Sequence, residues 1–283
     1  MSVFMSFLYM NFAWMIWTTD CQRFIPVHSY DSLFSYLASG TEIRYIFNVS
    51  SCVEPDNPPQ YKDIPTFGGK INHFDASPNS GDKPGQSSFN DAQFIHGKTY
   101  NIDKELYTFW IENDTAKVFW AKPGLFENDT STLSGLYCSW MQGRGKFWAK
   151  THIRKRQLTS AKEVKDTLFS GGEVNYLVNK TQCKCLETSD QFMDGIAGDT
   201  VKSFKLTKDG SIEFSSDSTT VFPIAWTYIR VITVVNVHSN NTVTFSTSRF
   251  DTVTLEESTN DMLICPIHTA SSPQGVKFFV NVN

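Results

Sequence analysis

The residues best able to do covalent chemistry in this 283-residue chain are its six cysteines. Four of them fall at equivalent places in the two halves, Cys52 with Cys138 and Cys183 with Cys265. Thiols duplicated in this way are expected to close one disulfide in each half, which requires an oxidising compartment. Loops of this length would stabilise each half by roughly 4–5 kcal/mol in the chain-entropy model. Cys185 has no equivalent upstream, so it could replace Cys183 as the partner of Cys265, bond to Cys21, or link two chains.

Five Asn-x-Ser/Thr acceptors for N-linked glycan, Asn48, Asn113, Asn128, Asn179 and Asn240, suit the same compartment. Their number decides little, but Asn48 matches Asn179 and Asn113 matches Asn240, which suggests the same loops or strand ends twice. The basic cluster Lys150-Thr-His-Ile-Arg-Lys-Arg156 reads as a solvated linker strand, or as a processing site at Arg156 with Ile153 where a convertase prefers arginine.

Non-covalent chemistry is concentrated in aromatic side chains. Trp110, Trp120, Trp140 and Trp148 stand among Tyr107, Phe109, Phe119 and Phe147, several of them adjacent on one strand and therefore on opposite faces of a sheet. One face is expected to be core, and the other a stacking or lipophilic ligand site confined to the first half. Enzyme motifs are sparse: there is no Gly-x-Ser-x-Gly, His-Glu-x-x-His, phosphate loop or dinucleotide fingerprint. His28, His73, His96, His152, His238 and His268 are dispersed, and the acids Glu42, Glu173, Asp75, Asp103, Glu105 and Glu112 show no acid/base spacing. No metal or cofactor is expected.

The elements that must hold these residues are written twice. Thr41-Glu-Ile-Arg-Tyr-Ile-Phe-Asn-Val-Ser-Ser-Cys52 returns as Gly172-Glu-Val-Asn-Tyr-Leu-Val-Asn-Lys-Thr-Gln-Cys183, and Gly68-x-x-Ile71-x-x-Phe74 returns as Gly198-x-x-Val201-x-x-Phe204. A repeat this long is a duplicated domain, because one unit can bury its own core and fold by itself. Each copy opens on a short amphipathic helix. Ser29 caps Leu33, Phe34 and Leu37 before Gly40; Ser160 caps Val164, Leu168 and Phe169 before Gly171. The period then becomes two at Ile43, Tyr45 and Phe47 and at Val174, Tyr176 and Val178. Apolar residues on both sides predict a central strand covered on its reverse face.

Further strands are expected over 70–74, 106–112, 116–121, 135–141 and 145–150, and over 201–206, 211–215, 225–237, 242–247, 262–267 and 276–281. Hairpin turns are expected at Asn113-Asp114 and Asn240-Asn241. Segments 54–65 and 77–88 read as loops. The fold class is therefore α+β: two homologous domains, each a short N-terminal helix followed by a predominantly antiparallel β-sheet. Residues 1–21, uncharged from Met1 to Trp17, read as a signal peptide, followed by a first repeat at 22–150, a basic linker at 151–158 and a second repeat at 159–283.

At Leu33-x3-Leu37-x-Ser39-Gly40-x2-Ile43-x-Tyr45-x-Phe47-x4-Cys52, followed by Phe67-Gly-Gly-Lys-Ile-x2-Phe74, the first repeat resembles the VirK-type domain. The second repeat shares the pattern more faintly and departs from it at Gly198-Asp-Thr. The resemblance implies two VirK-like repeats in an exported module, and it brings no active site with it. A net charge of −4 and a pI near 5.9 argue against nucleic acid as partner. The expected protein is a secreted glycoprotein that binds a small molecule, a glycan or an extracellular protein, with no stable membrane span once the signal is removed. The alternatives are a secreted hydrolase or oxidase with an aromatic-lined pocket in the first domain, and a disulfide-linked extracellular structural protein.

Overall fold

The computed structural model of the chain describes residues 24–48, 52, 66–81, 83–96, 102–113, 115–121, 134–140, 144–151, 153–186, 195–222, 227–251 and 257–282. The expected signal segment with Cys21, the loop at 54–65 and the acceptor Asn128 lie outside the described residues.

The first half runs β1 (Phe24–Val27), α1 (Tyr30–Ala38), β2 (Ile43–Asn48), β3 (Thr66–Lys70), β4 (Phe74–Ser77), β5 (Gln86–His96), β6 (Ile102–Glu112), β7 (Thr115–Ala121), β8 (Ser134–Ser139) and β9 (Gly145–Lys150). The second runs β10 (Arg154–Leu158), α2 (Ala161–Phe169), β11 (Asn175–Asn179), β12 (Lys184–Cys185), β13 (Ile196–Thr200), β14 (Lys205–Leu206), β15 (Ile212–Phe222), β16 (Thr227–Val237), β17 (Thr242–Asp251), β18 (Glu257–Pro266) and β19 (Val276–Val282). The fold is a β-rich α+β arrangement in which the paired strands are antiparallel.

Both halves pair their strands in the same order. Sheet β1-β9-β2-β3 in the first half corresponds to β10-β19-β11-β13 in the second, and meander β4-β5-β6-β7-β8 corresponds to β14-β15-β16-β17-β18. The register agrees residue by residue, since Arg44 lies opposite Trp148 as Asn175 lies opposite Phe279. One contact breaks the symmetry: β13 pairs with β4, which fuses the small sheet of the second half and the meander of the first into nine strands.

The local signals act as expected. The Ser29 hydroxyl accepts from the Ser32 N–H and that of Ser160 from the Glu163 N–H, satisfying donors at each helix start. Gly40 and Gly171 stop the helices at φ +67° and +79°, a region open to glycine without a Cβ penalty. Asn113 and Asn241 turn their hairpins at φ 49° and 65°.

Each core lies between the inner face of the small sheet and the meander, with the helix covering it. In the first half the rings of Tyr45 and Phe47 meet Phe89 and Phe109 across this gap, and Phe89 stacks on Phe109 at 4.5 Å. The second core is built mainly from Val164, Val178, Val235, Val243 and Ile212 around Tyr176, Phe214, Phe245 and Phe278. Much of the aromatic density of the first half is therefore core packing. The disulfides Cys52–Cys138 and Cys183–Cys265 close one loop in each half, and Cys185 lies outside both.

Several expectations need correction. The strands placed at 70–74 and 201–206 straddle the connections between β3 and β4 and between β13 and β14; Ile71 and Val201 are buried there as plugs, not as strand residues. Part of the loop placed at 77–88 belongs to β5, whose Ser87, Ser88, Asn90 and Asp91 give a weak strand signal. The strand read in the basic linker is β10, which pairs at the sheet edge with Arg156 opposite Val280 and so is part of the sheet, not a free connection. Phe169, expected in the buried stripe of α2, is 61% exposed, because it ends the helix on the side away from the core.

The reverse face of the central strand differs between the halves. Leu177 on β11 and Phe279 on β19 point away from their own core, yet they are buried and belong to the first core, beside Leu37 and Phe74. On β2 the equivalent Ile46 is 42% exposed. The covered reverse face thus holds for the second half alone, where the β4–β13 pairing brings the end of α1 down onto it.

Candidate functional site

The open reverse face of β1-β9-β2-β3 forms a groove of about 660 Å³. Strand alternation puts Phe24, Arg44, Ile46, Thr66, Gly68, Lys70 and Trp148 on this outer side, and these line the groove together with Tyr45 and Gly69. The strand order makes neighbours of residues far apart in sequence: Ile46 stands opposite Gly68 on β3, and Arg44 opposite Trp148 on β9. The Arg44 guanidinium lies 4.5 Å from the centroid of the Phe24 ring and donates from Nε to Glu42 at 3.0 Å. Below the glycines, the Tyr45 hydroxyl donates to Asp91 Oδ2 at 2.5 Å, and burial together with this carboxylate pushes the phenol pKa up.

The groove offers aromatic surface, two cations and a strand edge. Gly68 lies exposed beside Ile46 and Gly69 packs on Tyr45 and Asp91, and β3 is the outer strand of its sheet among the described residues. This combination suits an extended segment that adds to the edge while its side chains enter the groove.

The equivalent face of the second half shows such a surface when it is filled. The space has closed to about 50 Å³, lined in part by Leu37, Gly40 and Phe74 from the first half and Leu177, Asp199 and Phe279 from the second. The Phe279 ring packs over Gly40 so tightly that a Cβ there would lie 2.5 Å from it, and Phe74 rests against Gly198 with 2.9 Å to a Cβ.

The candidate tryptophans with described side chains, Trp110, Trp140 and Trp148, do not converge. Trp148 alone lines the groove. Trp140 is a core residue, 3% exposed, with its indole N–H donating to the Asn113 carbonyl and its ring edge-on to Phe147. Trp110 is half-buried on the meander face opposite Phe109 and Ile111, the same face as buried Thr108. Trp120 lies on β7 opposite Tyr107 and Ser134. Of the glycan acceptors, Asn48, Asn113 and Asn240 are exposed and Asn179 is half-buried. In Asn179-Lys-Thr181 and Asn240-Asn-Thr242 the threonine hydroxyl donates to its asparagine Oδ1 at 2.7 and 2.6 Å. Phe24 and Ile46 carry no local motif, and Gly68 carries only the repeated Gly-x-x-Ile71 pattern; their common outward alternation is what brings them together.

A second grouping joins the halves. His73 Nδ1 meets Asp199 Oδ2 at 3.1 Å and the Ser216 hydroxyl at 3.1 Å. A serine relay needs its hydroxyl and carboxylate on opposite imidazole nitrogens, whereas here both use Nδ1. The grouping is therefore an interface pin, alongside the Lys180–Asp75 ion pair and the Lys155 ammonium donating to the Ser39 carbonyl at 2.5 Å.

Burial pushes the Asp199 carboxyl up, but the His73 contact, the Thr200 N–H and Ser216 outweigh it and hold the group below the usual carboxylate range. A carboxyl depressed in the folded state stabilises it above the unfolded value of about 3.9 and loses that contribution as pH falls through its folded value. Asp199→Asn should thus lower the melting temperature at pH 6, with the gap to the native chain shrinking below pH of about 4. A gap that is constant between pH 6 and pH 3 would show that the Asp199 charge does not hold the interface.

Residues 157–255 match the family model described as VirK protein. The second half of the chain therefore carries a VirK-like domain, whereas the motif resemblance is fuller in the first. A crystal structure of a VirK family protein from Legionella pneumophila is similar to this chain at 17% identity and a TM-score of 0.38, covering 44% of this chain and 98% of that one. Among curated proteins, none matches.

Proposed function

We propose that the protein is an exported, glycosylated interaction module of two homologous VirK-like domains in tandem, and that the outer face of β1-β9-β2-β3 is its binding surface. The observation that carries the binding reading is the contrast between equivalent faces: Leu177 and Phe279 are covered, while Ile46 and Trp148 border an open groove. The tandem reading is supported by the matched order of elements and register in the two halves. Export is supported by a disulfide in each half and by acceptor asparagines at exposed positions. The occupant is an extracellular protein segment in extended conformation, or a small molecule or glycan with an aromatic or apolar face and an anionic group beside Arg44 and Lys70.

Anilinonaphthalene sulfonate, an aromatic anion, tests the groove directly. Trp148→Ala and Ile46→Asp should each weaken its fluorescence-detected binding by about tenfold or more, roughly 1.4 kcal/mol, with little change in melting temperature. Trp110→Ala should leave it unchanged. Equal binding by all three variants and the native chain would remove the groove as the binding surface.

A further inference from the structure

The surfaces that meet between the halves recur, largely exposed, one in each half, and from this we infer that the chain associates head to tail with further copies of itself through the groove. The inference rests on the groove being a binding surface and names its occupant.

Within the chain, the first half presents a head, the end of α1 with β4, to the outer face and β13 edge of the second half. Three apolar fits define the contact: the Phe279 ring over Gly40, the Phe74 ring on Gly198, and Leu177 between them near Leu37 and Gly40. Along the edge, Ile196, Ala197 and Gly198 lie opposite Ala76, Asp75 and Phe74.

The apolar parts of this contact recur, and most of them are exposed. The second half carries an equivalent head in which Phe204 and Leu206 take the places of Phe74 and Ala76, at 38% and 44% exposure. Gly171 takes the place of Gly40, and a Cβ there would meet nothing within 4 Å, whereas at Gly40 the space is filled by Phe279. The first half carries the equivalent receiving face, with Trp148 for Phe279, Ile46 for Leu177 and Gly68 for Gly198. The strands match too: β3 and β14 are both outer strands of their sheets among the described residues, as β13 and β4 would be without each other. Four of the six exposed large hydrophobic residues among the described residues, Ile46, Phe169, Phe204 and Leu206, lie on these two surfaces, so exposure is concentrated where the duplicate contact would cover it.

In the intermolecular contact Thr66, Phe67 and Gly68 of one copy would pair antiparallel with Leu206, Lys205 and Phe204 of the next. The Phe204 ring would rest on Gly68, and the Trp148 ring would lie over Gly171. The polar pins are not duplicated, since Gly69 stands where the second half has Asp199 and Ser203 where the first has His73. The contact between copies is therefore weaker than the one within the chain and depends on concentration. Two different surfaces meet, so the contact does not close on itself as a two-fold dimer would, and it builds chains or rings.

Sedimentation velocity on the exported, disulfide-intact protein, up to about 0.2 mM, where an association of micromolar order is saturated, tests this. The native chain should show a ladder of oligomers growing with concentration. Phe204→Asp removes the head and Ile46→Asp the receiving face, so each variant alone should stay largely monomeric at about 5 μM, where the native chain already associates, with a loss of more than about thirtyfold in association constant. An equimolar mixture of the two should form a dimer and go no further, because each variant keeps the surface the other lacks; this result also shows that both are folded. A native chain that stays monomeric overturns the inference, as does a mixture that stays monomeric while the native chain associates. If the native chain is monomeric but Trp148-dependent dye binding persists, self-association fails and the groove stands.

Discussion

Leu177→Ala and Phe279→Ala, both in the second half of the chain, should destabilise the first half. The two side chains are 7% and 8% exposed and belong to the core that contains Leu37, Phe74 and Tyr45, whereas the second core closes without them. Truncating a buried leucine costs about 2–5 kcal/mol and a buried phenylalanine about 3–5 kcal/mol, the transfer term plus that of the cavity left behind. The loss should be read by hydrogen exchange as reduced protection of α1 and β4, with β16 and β17 retaining theirs. Protection lost only in the second half would mean that the halves are energetically separate, as the repeat by itself suggests. The same geometry bears on a cut after Arg156. That cut severs β10, and once the pieces are separated β4 loses β13, so residues 22–156 would lose Leu177 and Phe279 from their core, and residues 157–283 would expose both side chains. The first fragment is the one expected to melt lower.

What was legible in the sequence follows the range of the interactions involved. Helix ends were readable because Ser29, Gly40, Ser160 and Gly171 act on neighbours within a turn, and the hairpins because an asparagine at positive φ is a one-residue decision. The alternation of Ile43, Tyr45 and Phe47 identified the inner face, since burial on a two-residue period needs no knowledge of what lies opposite. The outer face was not readable in the same way. Ile46 and Leu177 are alike in sequence, and only the pairing of β13 with β4 makes one exposed and the other core. Strand β5 was hidden because Ser87 and Asn90 are held by register with β6 and not by strand propensity. Among the tryptophans, sequence alone could not distinguish Trp140, whose N–H finds the Asn113 carbonyl, from Trp148, which faces the groove; adjacency on a strand says that faces alternate, not which face is wet.

Substitution of Cys183 should cost about as much as that of any other bridged cysteine, and Cys185 should not make it good. The β12–β18 register places Lys184 opposite Ile264 and Cys185 opposite Leu263, so Cys183 continues that ladder opposite Cys265, with 4.6 Å between the bridged Cα atoms. Cys185 is the diagonal neighbour of Cys265, and diagonal Cα atoms lie about 7–8 Å apart, beyond what a disulfide spans without backbone movement. Cys183→Ser should therefore leave Cys185 and Cys265 unbridged to each other, both alkylated once the chain is unfolded in denaturant, and it should cost roughly 4–5 kcal/mol for release of the 82-residue loop in the chain-entropy model. Cys185→Ser, by contrast, should change denaturant stability by no more than about 0.5 kcal/mol, the ordinary range for a position outside the core. Non-reducing peptide mapping of Cys183→Ser decides the question. A Cys185–Cys265 peptide in good yield would mean that β12 can slide by two residues along β18, and that this strand is held by its disulfide more than by its ladder.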